Sequence, residues 1–339
     1  MAVKRLGFAC KFSEIDAKGN VVGVPELQGR TTTITWLNRQ TKDVAVERLW
    51  ELLNHNIGST TALVKKVGSL DQHLRMVRLG SELLPAYSHP DWKWFWKQPD
   101  VIAACEKGFA KIGEIARTLG VRLSFHPGQF VVLASVSEGI VNRSIEEFEY
   151  HADMARWMGY GKRFQDFKIN VHISGRLGPD GIRAAYPRLS PEARNCITIE
   201  NEENSWGLDD CLTLSNIVPI VLDIHHHWIR EGEFIDPVDE RVQRVIDSWR
   251  GVTPTMHYSV SREDLLIDHC KITFPDMDTL LADGYKKQKL RAHSDAYWNE
   301  SVNDWALCFN DRFDIMTESK GKNISSFALA AYAKSRGIF

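Results

Sequence analysis

Short apolar runs rich in β-branched residues alternate with longer stretches of helical periodicity along the whole chain. The short runs predict strands at 5–10, 76–80, 122–125, 168–173, 196–201, 219–224, 255–260 and 313–317. Helical patterns lie between most of them, over 44–67, 101–119, 141–158 and 239–249. Several have clear boundaries: Pro99-Asp100 opens one helix and Gly120 closes it, while Gly159 and Gly251 follow two others. Eight strands alternating with helices predict an α/β fold, a (β/α)8 TIM barrel occupying residues 1–339 as a single domain. A doubly wound sheet is the alternative, but it usually carries a glycine-rich loop after its first strand, and here that strand runs into Lys11-Phe12-Ser13.

Barrel chemistry sits at the carboxyl ends of the strands. Those ends read Ser124-Phe125-His126-Pro127, Val171-His172, Ile199-Glu200-Asn201-Glu202-Glu203, Asp223-Ile224-His225-His226-His227, Met256-His257-Tyr258 and Thr317-Glu318-Ser319-Lys320, with Ala292-His293-Ser294 shortly before the last strand. One histidine or glutamate at a strand end is an ordinary hydrogen-bonded residue. Six consecutive strands ending in His, Glu or Asp are different, because closure brings them into one bowl, where packed imidazoles and carboxylates are costly without a compensating cation. Imidazole and carboxylate without thiolate suit zinc, manganese, iron or cobalt. About eight ligands are too many for one ion and fit two or three sharing carboxylates, a geometry suited to phosphoester hydrolysis.

Composition narrows the setting. The chain has 339 residues, of which 43% are hydrophobic and 25% charged, which excludes a disordered chain. Its apolar runs fall short of the roughly 18–20 residues of a membrane span. The N-terminal stretch from Met1 has no extended apolar core, so a secretory signal is not expected. The six cysteines form no C-x-x-C pair, which fits free thiols in the cytoplasm. A net charge of −2 argues against coating nucleic acid by charge alone, but not against a nuclease whose positive charge comes from bound metal.

The strand-end residues belong to motifs that run in order along the chain: Arg5-Leu6-Gly7, Arg78-Leu79-Gly80, Ser88-His89-Pro90, Phe125-His126-Pro127-Gly128-Gln129-Phe130, Val171-His172, Ile199-Glu200-Asn201-Glu202, Asp223 to His227, His257, Ala292-His293-Ser294-Asp295 and Glu318-Ser319-Lys320-Gly321-Lys322. In these the chain resembles the ultraviolet-damage endonucleases, metal-dependent barrel nucleases similar to endonuclease IV. The resemblance implies cleavage of damaged double-stranded DNA 5′ to pyrimidine dimers and 6-4 products, leaving a 3′ hydroxyl and a 5′ phosphate. It implies a monomer with no membrane association, holding two or three divalent ions, first manganese, with zinc, cobalt and magnesium as the other candidates. The implied ligands are His126, His172, Glu200, Asp223, His226, His257, His293 and Glu318, with Glu200 bridging two ions. Strand alternation from Asp223 instead selects His225, and the two readings stand side by side.

Beside Glu200, His89 and Lys320 are the expected catalytic residues, His89 contacting the scissile phosphate or handling a proton and Lys320 contacting a phosphate; a turn cap and a solvated lysine are their plain alternatives. Gln129, Phe130 and Phe8 are the expected DNA contacts, with Phe130 inserted at the kinked step; core packing is the alternative for Phe130. The aromatic stretch Trp92–Trp96 reads either as a stacking surface or as packing for a long loop. The chain departs from the family pattern at Phe8 and Phe130, where tyrosine is common, at Phe12, where some members have asparagine, and at Thr255, where some have lysine. An abasic-site endonuclease and a divalent-metal sugar isomerase are the competing functions on the same scaffold.

Overall fold

The computed structural model describes residues 3–339; Met1 and Ala2, the start of the stretch read for a signal, lie outside it. Eight parallel strands form the barrel wall: β1 Leu6–Ala9, β2 Met76–Arg78, β3 Arg122–Phe125, β4 Lys168–His172, β5 Ile197–Glu200, β6 Ile220–Val221, β7 Thr255–Tyr258 and β8 Asp314–Thr317. Each pairs with its neighbours in chain order, and β1 pairs with β8. Between β6 and β7 the ladder is reduced to a parallel bridge from Asp223 to His257, where the His257 N–H donates to the Leu222 carbonyl at 2.9 Å. The (β/α)8 expectation therefore holds, with all eight strands where the apolar runs put them.

The helices form for local reasons. The helix Pro99–Leu119 has proline at its first position, where the missing N–H costs nothing, and ends at Gly120, whose φ of 65° suits a residue without Cβ. Val101, Cys105, Phe109, Ile112 and Ala116 make its buried face, at the three- and four-residue spacing that packs a helix on a sheet. Gly113 on that face lets the following helix, Glu138–Trp157, come close, since a Cβ there would lie 1.9 Å from the Met158 carbonyl oxygen. Burial of each large side chain contributes about 1.5–3 kcal/mol.

The barrel axis is polar rather than filled with branched aliphatic residues. Asp314 is fully buried near the strand starts, where it accepts from Arg122 at 2.6 Å and from Arg5 at 3.4 Å. Lys168, Asn170 and His172 alternate along β4 and all point inward, so one strand delivers an ammonium, an amide and an imidazole at rising heights. Thr198 and Glu200 do the same on β5. Charged layers stacked beneath the bowl fix the orientation of the groups above them.

Alternation also corrects one expectation. On β1 it is Gly7 that faces the barrel interior, against Met76, while Phe8 faces outward and is fully buried. Its ring packs edge-on against Phe12 and Phe327, at 5.8 and 6.2 Å between centroids. Phe8 is core and has no surface to offer DNA. Phe12, at the other departure from the family pattern, belongs to the same cluster. The stretch Trp92–Trp96 packs its loop onto the barrel: Phe95 and Trp96 are buried, and the Trp92 and Trp96 indoles donate to Asn38 and the Pro85 carbonyl. A two-stranded hairpin, Ser13–Ile15 with Val21–Gly23, and a helix at Ile224–Glu231 have no counterpart in the expected elements. Among the described residues no helix is long and apolar enough to cross a membrane.

Candidate metal centre

Glu200 closes β5 at the middle of the bowl and is inaccessible to solvent. One carboxylate oxygen accepts from Asn170 and faces His126 Nε2 at 3.2 Å; the other faces His257 Nδ1 at 2.9 Å and His226 Nδ1 at 3.8 Å. Burial alone would raise its pKa, but His257 and His172, with the hydrogen bond from His126, hold it well below the usual carboxylate range. Glu318, beyond the end of β8, behaves alike: Arg78 and His257 outweigh burial and keep it ionised. Three overlapping triads have their ligand atoms mutually within 4.8 Å, namely His126–His172–Glu200, His126–His257–Glu318 and Glu200–Asp223–His257. Six of the eight expected ligands thus converge.

His226 joins from the side. The expected strand 219–224 stops at Val221, and Asp223 caps a helix instead, its Oδ1 accepting the His225 and His226 N–H groups at 2.8 Å each. Alternation consequently does not apply beyond Val221. His225 turns away, its two ring nitrogens 2.9 and 3.3 Å from the Ser259 and Ser261 hydroxyls. His226 turns in, with Nδ1 bonded to the Asn201 carbonyl at 2.9 Å and Nε2 at 3.8 Å from Asp223 Oδ2 and 3.7 Å from Glu203. His293 stands farther out and lines, with His226 and Glu203, a cavity of about 780 Å³ beside the cluster.

The donor set suits divalent cations. Asp223 Oδ2 and His172 Nδ1 are buried with no hydrogen-bond partner, as expected of atoms whose partner is an ion. His126 and His226 each tie Nδ1 to a carbonyl, of Pro127 and Asn201, which directs Nε2 toward the carboxylates, where loss of any proton there would expose a lone pair to an ion. In the protein alone, protons take over part of the balancing. Burial, with the Glu200 and Glu318 charges, pushes the Asp223 carboxyl up to about 8. Burial would depress His226, but Asp223, Glu200 and Glu203 raise it to about 9. Burial lowers His126 to about 4 and also lowers His257 and His293.

Three residues of this centre were not anticipated. Lys168 Nζ lies 2.9 Å from His257 Nε2, and burial lowers its pKa to about 7. Arg78 holds Glu318, and Asn170 holds Glu200. An inward-facing lysine at the start of a barrel strand was the available signal for Lys168. It places an amine beside His257 from β4, although Thr255 stands where some family members have lysine on β7.

The remaining expected residues lie around the rim. Gln129 is exposed and Phe130 is 84% exposed in the loop after β3, so Phe130 is not core. His89 is 37% exposed, with Nδ1 accepting the Asp91 N–H at 3.3 Å; its contacts are with its own turn rather than with the cluster. Lys320 is exposed, its backbone N–H bonded to the Ser294 carbonyl.

A parallel eight-stranded barrel with a buried histidine–carboxylate cluster at its C-terminal mouth defines a TIM barrel with a candidate metal site. The profile of the family described as UV-endonuclease UvdE matches residues 4–338, and the chain belongs to that family. It is 27% identical over 341 residues to the UV-damage endonuclease of Schizosaccharomyces pombe, covering 96% of this chain and 50% of that protein. It is 23% identical over 312 residues to a UV DNA damage endonuclease of Bacillus cereus, covering 88% and 87%. The chain thus spans about half the length of the yeast relative and most of the bacterial one. The crystal structure of SacUVDE shares the fold, with a TM-score of 0.73 over 99% of both chains at 23% identity.

Proposed function

We propose that this protein is a metal-dependent endonuclease that nicks DNA on the 5′ side of ultraviolet photoproducts, both pyrimidine dimers and 6-4 products, leaving a 3′ hydroxyl and a 5′ phosphate. The observation that carries the reading is the convergence of six candidate ligands, Glu200 among them, at the barrel mouth, with buried Asp223 Oδ2 and His172 Nδ1 left without partners in a chain of this family. His126, His172, Glu200, Asp223, His226, His257, His293 and Glu318 would hold two or three ions. Manganese is the first candidate, because a histidine-rich set disfavours magnesium. Bound divalent ions would supply a water of lowered pKa, roughly 7–9, and charge neutralisation for the phosphate.

The chain's own residues orient and exclude. Asn170 and Arg78 fix the carboxylates of Glu200 and Glu318, while the Pro127 and Asn201 carbonyls fix the His126 and His226 tautomers. His89 accepts a hydrogen bond at Nδ1, which leaves Nε2 carrying the proton and suited to donate to a phosphate oxygen. Lys320 contributes a phosphate contact at the rim. Gln129 and Phe130 enter the duplex at the lesion, where stacking is already weakened. All ligands come from one chain, which suits a monomer acting on damaged duplex. The test is nicking of end-labelled duplexes carrying no lesion, a photodimer, a 6-4 product or an abasic site, with manganese added. Cleavage 5′ to both photoproducts is expected; cleavage at the abasic site alone replaces this reading with an abasic endonuclease.

A further inference from the structure

A cavity of about 780 Å³ opens from the cluster toward the loops that follow β7 and precede β8. His226, His293 and Glu203 form its inner end, and Arg262, Lys289 and Arg291 its outer wall. We propose that these three cations form a clamp for the sugar–phosphate backbone of the strand to be cut, on the rim opposite Phe130. This rests on the nuclease reading above.

The lining decides what the cavity accepts. It contains no Phe, Tyr or Trp, and its apolar members are Leu265 and Ala292. Base recognition on single-stranded or extruded nucleotides depends on stacking faces, whereas phosphates are met by Arg, Lys and amide donors. Gln288 supplies an amide beside the three cations. The acids of the cavity are already engaged: Glu203 with Arg291 at 3.1 Å, and Asp264 with Arg262 Nε at 2.8 Å. Lys289 is exposed and has no ion-pair partner among the described residues.

The sequence around it points the same way. Lys286-Lys287-Gln288-Lys289-Leu290-Arg291 places four cations in six residues of a chain whose net charge is −2. Lys287 is used internally, donating to the Arg230 carbonyl at 2.7 Å, and Arg291 is paired with Glu203, which leaves Lys286 and Lys289 for a ligand. Ring order supplies the geometry. β3 and β7 stand four places apart among eight strands, so the loop bearing Phe130 and the loop bearing Arg262 lie across the bowl from each other. A strand running between them passes over Glu200.

The test is the salt dependence of binding to an undamaged duplex, which isolates backbone contacts from lesion recognition. Metal-loaded wild type, Lys289→Gln, the double variant Arg262→Gln/Lys289→Gln and the distant exposed Lys111→Gln are compared by fluorescence anisotropy between 50 and 200 mM salt. The slope of log affinity against log salt is expected to become shallower by about one for Lys289→Gln and about two for the double variant. Lys111→Gln should leave the slope in place. Metal content and Tm, measured on each protein, should match wild type. An unchanged slope in Lys289→Gln, whose exposed side chain leaves the fold intact, overturns the clamp. Failure of wild type to nick any photoproduct duplex overturns the nuclease reading instead, and the two failures are read from separate assays.

Discussion

Glu200 concentrates the chemistry of the site in one carboxylate, because its two oxygens face different sets of histidines. Glu200→Gln preserves the shape and removes the charge that balances the cations. Nicking is expected to be abolished, with metal affinity falling by more than the roughly 10–100-fold that loss of an outer hydrogen-bond partner costs. Metal analysis and Tm of the purified variant check this, and full occupancy with normal nicking would refute it. A second expectation concerns protons. Asp223 and His226 face each other and are both pushed up, so in the metal-free protein the pair holds at least one proton at pH 7, while His126, at about 4, is already neutral. Ligation requires the deprotonated forms, so metal uptake at pH 7 should release at least one proton, and affinity should strengthen as pH rises toward 9. Calorimetric titration with manganese in buffers of different ionisation enthalpy counts the protons, and a count of zero removes the assignment of Asp223 and His226 as ligands.

The loop after β3 carries the recognition hypothesis. Phe130→Ala should reduce affinity for photoproduct duplex by about 1–3 kcal/mol, the value of one base–aromatic stack, and affect undamaged duplex much less, because intact DNA resists the kink that engages the ring. At 84% exposure Phe130 contributes little to stability, so Tm should stay in place. Equal losses on both duplexes at one fixed salt would show that the ring is not a wedge. At this scale the sequence was legible wherever periodicity was strong. All eight strands and the long helices Lys42–Gly68 and Pro99–Leu119 could be read from apolar spacing. The helix Ile224–Glu231 could not, since Ile-His-His-His-Trp-Ile has the apolar content of a continuing strand, and only the Asp223 side chain capping two N–H groups turns it. That one cap decides which histidine faces the carboxylates. Phe8 misled for a related reason: strand alternation, which governs its direction, depends on a register that the motif alone does not reveal. The roles of Lys168 and of the motif residue Arg78 were not legible, because a buried cation beneath a bowl looks, in sequence, like any charged residue in a strand.

Taken whole, the molecule is slightly acidic, and its capacity to hold DNA is expected to depend on the ions it carries. Nicking should be lost in chelator and restored by manganese better than by magnesium, since magnesium prefers oxygen donors and keeps its waters; equal recovery with magnesium after stripping would count against the histidine-rich centre. The wall of the barrel has one thin seam, where β6 is only two residues long and the ring is joined to β7 through Asp223 and His257. Both are candidate ligands, so the same ions would also fasten the cylinder shut. Chelation should then act as a mechanical release: backbone amides around 220–224 and 255–258 should exchange with deuterium faster, while β2 and β3, joined by an ordinary ladder on the far wall, keep their protection. The protein starved of metal would in that case be left not merely idle but ajar, and the seam, rather than the core, is where a protease would first find it.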